Sequence, residues 1–324
     1  MRVGLYFDVR NPPGWRSDWS RAYGFTLEMC EEAERLGADS VWFTEHHLFE
    51  DGYLTQPLTI AAAAAARTSR VRVGTAALIA PYRKSAQLAE EATVVDLISG
   101  GRLDLGLGAG YRHPEFDLFG ADFSARYEAT DQTVRDLRRY WAEPAMMPPP
   151  VQQPVPIFLG YQGPKGARRA GLLGEGLLAI NRNLLAPYLE GLVEGGHDPG
   201  RAVMSGTTTS FVSEDPDRDW PMVSKHLSYQ LDSYRRYMVE GTDRSVPRPV
   251  DPNRVITSRG NVLSSCIYGT PEFVATEIRA LSSGCPVDTV FFMASLAGMP
   301  EDVVARTVQA VCTRLAPLLR VDHA

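Results

Sequence analysis

A chain of 324 residues, 44% of them apolar, is long enough to bury a large core, and its length suits either two domains or one large α/β barrel. The net charge of -6 is small and both signs are spread along the chain, with no basic stripe for phosphates, which argues against nucleic acid as a partner. Residues 1–9 lack the form of a secretory signal, the most apolar window (residues 60–66) is too short to span a bilayer, and the four cysteines are scattered; the expectation is a cytoplasmic protein with reduced thiols and no membrane partner.

Residues 3–9 read as a strand that ends in Asp8, Arg10 and a turn made by Asn11, Pro12, Pro13 and Gly14. A helix over 22–36 follows, with Phe25, Met29, Ala33 and Leu36 along one face and Gly37 placed to cap it. The strand over 40–44 then delivers Glu45, His46 and His47 to one spot. Next come a helix over 57–68, an alternating strand over 71–79, a helix over 86–98, and a strand over 103–107 that runs into the turn Gly106-Leu107-Gly108-Ala109-Gly110. The second half continues the alternation with a helix over 127–142, a proline-rich link over 144–156, strands over 157–160 and 177–180, and helices over 165–173 and 184–193. After a strand over 203–212 there is a long excursion, a helix over 220–238 and a polar, proline-bearing segment over 241–260. A helix over 270–281, a strand over 288–293 and a helix over 301–315 close the pattern.

Eight strands alternating with helices predict a (β/α)₈ TIM barrel with an insertion between strands seven and eight. Strands on both sides of the proline-rich link are needed to close it, so residues 1–324 read as one domain. An open doubly wound sheet is the alternative. Gly106, Gly108 and Gly110 do not make its dinucleotide fingerprint, because no strong helix opens at Gly110 and the turn lies mid-chain.

In a barrel, chemistry collects just after the C-terminal ends of the strands. That rule gathers Asp8, Arg10, Glu45, His46, His47 and residues 75–77, 108–113, 160–165, 181–183 and 294–296. His46 and His47 are the acid/base candidates, since imidazole titrates near neutrality; the alternative is one histidine bonded to backbone and the other in solvent. Glu45, His46 and His47 are consecutive and cannot converge on one ion without a distant partner, so no metal is expected. The stretch Gly160-Tyr161-Gln162-Gly163-Pro164-Lys165-Gly166 follows a strand and opens a helix, so its free N–H groups and Lys165 suit a phosphate; a plain turn shaped by glycines is the alternative.

Taken in order, Glu45-His46-His47, Val73-Gly74-Thr75-Ala76-Ala77, Gly101-Arg102-Leu103-Asp104-Leu105-Gly106 and Phe116-Asp117-Leu118-Phe119-Gly120 resemble the bacterial luciferase-like flavin monooxygenases. The likeness is dense over 3–120 and thinner over the phosphate turn and residues 270–318. It implies a TIM barrel, a homodimer, and reduced FMN, or a deazaflavin, at the C-terminal mouth. On this likeness His46 stands at the acid/base histidine, with Glu45 and His47 beside it. Ala76-Ala77 stands at a non-proline cis peptide beneath the flavin ring; Gln162, Gly163 and Lys165 stand at the flavin phosphate, and residues 241–260 at a mobile lid. Gly108 and Ala109 occupy the places of a flavin-adjacent cysteine and a phosphate-binding arginine, which leaves Arg112 and Lys165 as substitute cations.

The activity so implied is two-component monooxygenation. Reduced FMN from a separate NAD(P)H-dependent flavin reductase would react with O₂ to a C4a-peroxyflavin, which oxygenates a small organic substrate. Deazaflavin-dependent hydride transfer and a non-catalytic flavin-binding relative are the alternatives. The substrate pocket is expected to draw on Trp15, Phe49, Tyr111, His226, Tyr229 and Met293, with His226 more structural than catalytic.

Overall fold

The computed structural model of the chain describes residues 1–143, 147–252 and 266–320. Its strands are β1 (Arg2–Phe7), β2 (Ser40–Phe43), β3 (Arg72–Thr75), β4 (Leu78–Ile79), β5 (Leu103–Gly108), β6 (Ile157–Leu159), β7 (Gly176–Leu178), β8 (Met204–Gly206), β9 (Thr209–Val212), β10 (Cys266–Gly269) and β11 (Val287–Met293). Its main helices are α1 (Trp19–Arg35), α2 (Pro57–Arg67), α3 (Ser85–Ser99), α4 (His113–Phe119), α5 (Arg126–Ala142), α6 (Gly163–Leu172), α7 (Leu185–Glu194), α8 (Pro216–Val239), α9 (Pro271–Ser282) and α10 (Glu301–Ala310). No helix among the described residues is long and apolar enough to cross a membrane.

The strands run parallel in the order β3-β2-β1-β11-β8-β7-β6-β5, and pairing of β3 with β5 closes them into the expected eight-stranded barrel. Because barrel side chains meet the interior on one face and the helices on the other, β2 and β5 are buried at every position, which explains their apolar or small composition; the exception, Asp104, is paired with Arg72 at 2.6 Å. The interior is plugged by rings: Trp42 stacks on Phe291 at 4.5 Å and meets Phe158 edge-on at 6.2 Å. Glycines opposite make the room, since a Cβ at Gly74 would lie 2.4 Å from the Trp42 ring and one at Gly176 2.6 Å from Phe158.

Three departures from the sequence expectation bear on the site. The strand expected over 71–79 is interrupted at a cis peptide between Ala76 and Ala77, leaving β3 and the short β4 both paired to β5. The strand expected over 203–212 divides: β8 stays in the barrel, whereas β9 leaves it and pairs with β10, a strand of only four residues that carried no alternation long enough to read. Helix α4 was missed although its punctuation is present, with Pro114 in its first turn and Gly120 at φ 62° ending it. In the excursion, Val250 N–H is held by both oxygens of Asp232 at 2.7 and 2.8 Å. Residues 253–260 of the expected lid lie outside the described residues.

The closure is tightest where β3 meets β5, because a Cβ at Gly106 would stand 1.9 Å from the Thr75 carbonyl oxygen. Gly106→Ala should therefore lower stability by about 1–3 kcal/mol in chemical denaturation, the range typical of overpacking. Gly24→Ala is the opposite control: it lies within α1 with nothing within 4 Å of the added methyl, and should raise stability by about 0.5–1 kcal/mol. A Gly106→Ala protein as stable as the parent would contradict this closure.

Candidate active site

The C-terminal mouth of the barrel holds a cavity of about 800 Å³. Its walls include Thr44, Glu45 and His46 from the end of β2, Ala76 and Ala77 between β3 and β4, Gly108 ending β5 with Ala109 and Tyr111 after it, and Gln162 before α6. Thus the chain ends that follow separate strands do converge, as the barrel rule requires.

The two histidines part company. His46 faces the cavity, with Nδ1 3.0 Å from Glu115 Oε1 and Nε2 3.1 Å from the Tyr111 hydroxyl. His47 is buried away from it, its ring edge-on to Phe119 at 4.6 Å and its Nε2 2.9 Å from Glu45 Oε1. Glu45 is itself engaged by the Ile79 N–H at 2.7 Å and by Arg83 at 2.8 Å. The pair Glu45 and His47 thus fastens β2 to the segment after β4.

Glu115 is the centre of the polar arrangement. Besides His46 it accepts from the His47 backbone N–H at 3.0 Å, from Tyr82 at 2.9 Å and from Arg112 at 2.7 Å. Burial pushes its carboxyl up, but the hydrogen bond and charge of His46, with the bonds from His47 and Arg112, outweigh this and hold it at about 2. An ionised carboxylate only accepts, so Nδ1 of His46 carries a hydrogen in either protonation state, and Nε2, which faces Tyr111 and the cavity, is the ring nitrogen that takes up or releases a proton.

The sequence-derived cofactor residues divide in the same way. Ala76, Ala77, Gly108 and Ala109 share the cavity wall, and the smallness of Gly108 matters, since a Cβ there would stand 3.2 Å from that of Ala77. Gln162 lines the cavity, whereas Gly163 and Lys165 lie in the first turn of α6, behind the wall, with no side chain capping that helix. Arg112 requires correction as a substitute phosphate cation. Its guanidinium is fully buried, tied to Glu115 and Glu240 and laid over Phe49 and Tyr237 at 4.6 Å from each ring, so it is spent within the protein.

A different arginine is available. Arg126, the first residue of α5, lines the cavity, rests on Phe123 at 4.1 Å and Tyr127 at 4.7 Å, and has a buried Nε with no hydrogen-bond partner. Thr44 Oγ1, also on the cavity wall, is buried and without a partner as well. Sequence reading missed both; an arginine opening a helix and a threonine ending a strand carry no local signal that they will line one cavity.

Behind the mouth, Arg10 pairs with Asp51 at 2.6 Å, both side chains wholly buried, while burial pushes the neighbouring Asp8 carboxyl up to about 6 against the pull of Arg10. Of the residues expected around the substrate, Tyr111 lines this cavity. Trp15 and His226 line a separate one of about 660 Å³ between α1 and α8, where His226 Nδ1–H donates to the Ala297 carbonyl at 2.9 Å. Because Asp8 is raised above its ordinary 3.8, the unfolded chain gives up that proton first, and stability falls as pH rises from about 4 to 6. Asp8→Asn should then be more stable than the parent above pH 6 by on the order of 2–3 kcal/mol. The gain should fade as pH falls towards 4, as urea unfolding at several pH values would measure.

Comparison with known proteins gives the following likenesses. A model of the family described as luciferase-like monooxygenase matches residues 1–286. The F420-dependent glucose-6-phosphate dehydrogenase of Amycolatopsis mediterranei (strain U-32) is 27% identical over 301 residues, 86% of this chain and 83% of that one. The oxygenase component of the flavin-dependent trigonelline monooxygenase of Acinetobacter baylyi is 29% identical over 180 residues, about half of each chain (51% and 50%). Among solved structures, monooxygenase RslO1 from Streptomyces bottropensis superposes with a TM-score of 0.77 at 25% identity, covering 98% of this chain and 99% of that one.

Proposed function

We propose that this chain, which belongs to the luciferase-like monooxygenase family and is an oxidoreductase of that family, is the oxygenase component of a two-component monooxygenase. It would take reduced FMN from a separate NAD(P)H-dependent flavin reductase and use O₂ to oxygenate a small organic substrate. The observation that carries the flavin reading is one cavity that combines a floor of Ala76, Ala77 and Gly108 with two unsatisfied buried polar atoms, Thr44 Oγ1 and Arg126 Nε. Buried polar atoms are normally bonded, so these two fit a bound ligand with polar groups beside a flat ring.

In this reading Ala76, Ala77, Gly108 and Ala109 support the ring face, which larger side chains would obstruct. Arg126 and Gln162 hold the phosphate, helped by the first turn of α6 with Gly163 and by the charge of Lys165. When bound, reduced FMN supplies the electrons that activate O₂. His46 holds or moves the proton at Nε2, Glu115 keeps its ring oriented, and the aromatic walls exclude water.

Deazaflavin-dependent hydride transfer is the second reading, favoured by the F420-dependent relative that matches over most of its length. Oxygenation is preferred because the cations lining the cavity are Arg126 and Arg244, whereas the cavity wall beside His46 is made of Tyr53, Tyr111 and Tyr234, poorly suited to a phosphorylated sugar. Anaerobic titration with reduced FMN and with reduced F420, followed by air, separates the readings. Tight FMN binding with substrate-dependent oxygen uptake is expected; F420 binding without oxygen uptake would move the protein to hydride transfer, and binding of neither would end the flavin reading.

Two substitutions refine the roles. His46→Ala should lower turnover by about 10²–10⁴-fold while FMN affinity is unchanged. Arg126→Ala should weaken FMN binding by about tenfold to a hundredfold, the worth of a charged hydrogen bond, and leave riboflavin binding as it was.

We also propose a homodimer formed through α3. Leu88, Ala89, Ala92 and Val95 of this helix are buried, yet Val94, Leu97 and Ile98 form a second, exposed apolar stripe at i, i+3 and i+4. Val94→Glu should shift the protein from dimer to monomer in light scattering, and a parent protein that is already monomeric would refute the interface.

A further inference from the structure

Resting on the flavin reading above, we infer that the second substrate is a neutral hydroxylated arene, bound with its ring among tyrosines and its O–H presented to His46 Nε2. Ligand sites span roughly 300–1,000 Å³, so a cavity of about 800 Å³ has room for a cofactor ring and a second flat molecule. With the floor and the Arg126 side assigned to the cofactor, the rest of the cavity is the wall around His46.

That wall is aromatic and hydroxylated. His46 is edge-on to Tyr53 at 4.8 Å, to Tyr111 at 5.1 Å and to Tyr234 at 6.3 Å, and all of these line the cavity together with Tyr6. The Tyr53 hydroxyl is 2.7 Å from that of Tyr234 and 3.3 Å from that of Tyr6. The wall is also fixed: the Arg10 guanidinium, held by Asp51 and by Ser233 at 2.5 Å, sits 5.0 Å from the Tyr53 ring and 5.2 Å from the Tyr234 ring. A saturated alkyl chain that parted Tyr111 from His46 would offer neither of them a hydrogen bond, whereas a phenol offers a ring for edge contacts and an oxygen that both donates and accepts.

The acid/base geometry completes the match. Transfer of the substrate proton breaks its O–H bond and forms Nε2–H on His46, and the electron pair stays on the substrate oxygen. Glu115, already bonded to Nδ1, balances the imidazolium charge. Tyr111, displaced from Nε2, turns its O–H to the new phenolate. Oxygen transfer onto electron-rich ring carbon is the chemistry such a phenolate favours.

The test needs no cofactor. Calorimetric titration of the protein with 4-nitrophenol, nitrobenzene and nonanal compares a phenol, the same ring without hydroxyl, and an alkyl chain. The phenol is expected to bind at least tenfold more tightly than either, with its absorption moving to the phenolate band in the complex. His46→Gln should abolish that band while retaining ring binding, and Tyr53→Phe with Tyr111→Phe, which keeps the rings, should erase the advantage over nitrobenzene. Equal affinity for nitrobenzene, or tighter binding of nonanal, would overturn the inference. If reduced FMN binds and the phenol is not preferred, only this inference falls; if the phenol is preferred and no flavin binds, the flavin reading falls instead.

Discussion

The Glu115 carboxylate is the constraint on which the site depends. It is wholly buried and gathers His46, the His47 backbone, Tyr82 and Arg112, groups drawn from the ends of different barrel strands. Buried carboxylates are costly unless several donors meet them, and here each donor is also a piece of the mouth that must be positioned. One charge therefore sets the tautomer of His46, anchors the loop after β2 and fixes the start of α4. Arg112 completes the arrangement by spanning to Glu240 just beyond α8, so the excursion is tied to the same carboxylate.

The barrel beneath makes this possible by being rigid. Trp42, Phe158 and Phe291 fill its interior against glycines that leave no slack, and strand closure at Gly106 brings backbone almost into contact. Rings that interlock in this way hold the strand ends in register, which is why residues from β2, β5 and the segment before α6 can share one cavity wall. The cost of the arrangement is carried by a few buried polar atoms, among them Thr44 Oγ1 and Arg126 Nε, left without partners where a ligand would supply them.

Much of the fold was legible. Apolar strands alternating with helices, and punctuation such as Gly37 and Pro57, gave the barrel order because burial on both faces imposes an apolar composition on each strand. The misses were local: α4 because seven residues are too few for a periodic signal, and β10 because four residues show no alternation. Of the cavity wall, His46 and the Ala76-Ala77 pair were among the residues the sequence singled out. Glu115 was not, because a lone glutamate in a short helix looks like any solvated one until burial singles it out.

By itself, then, the sequence determined the class of barrel and the segments from which the mouth is built, since periodicity and turn residues are local properties. Only the tertiary structure decided which of two adjacent histidines faces the cavity, that Arg112 is consumed by Glu115 and Glu240, and that Arg126, its Nε unbonded, lines the cavity. It also decided that tyrosines from the loop after β2, the turn after β5 and α8 surround one imidazole. These are outcomes of distance and burial between residues up to about two hundred positions apart, and no pattern along the chain encodes them.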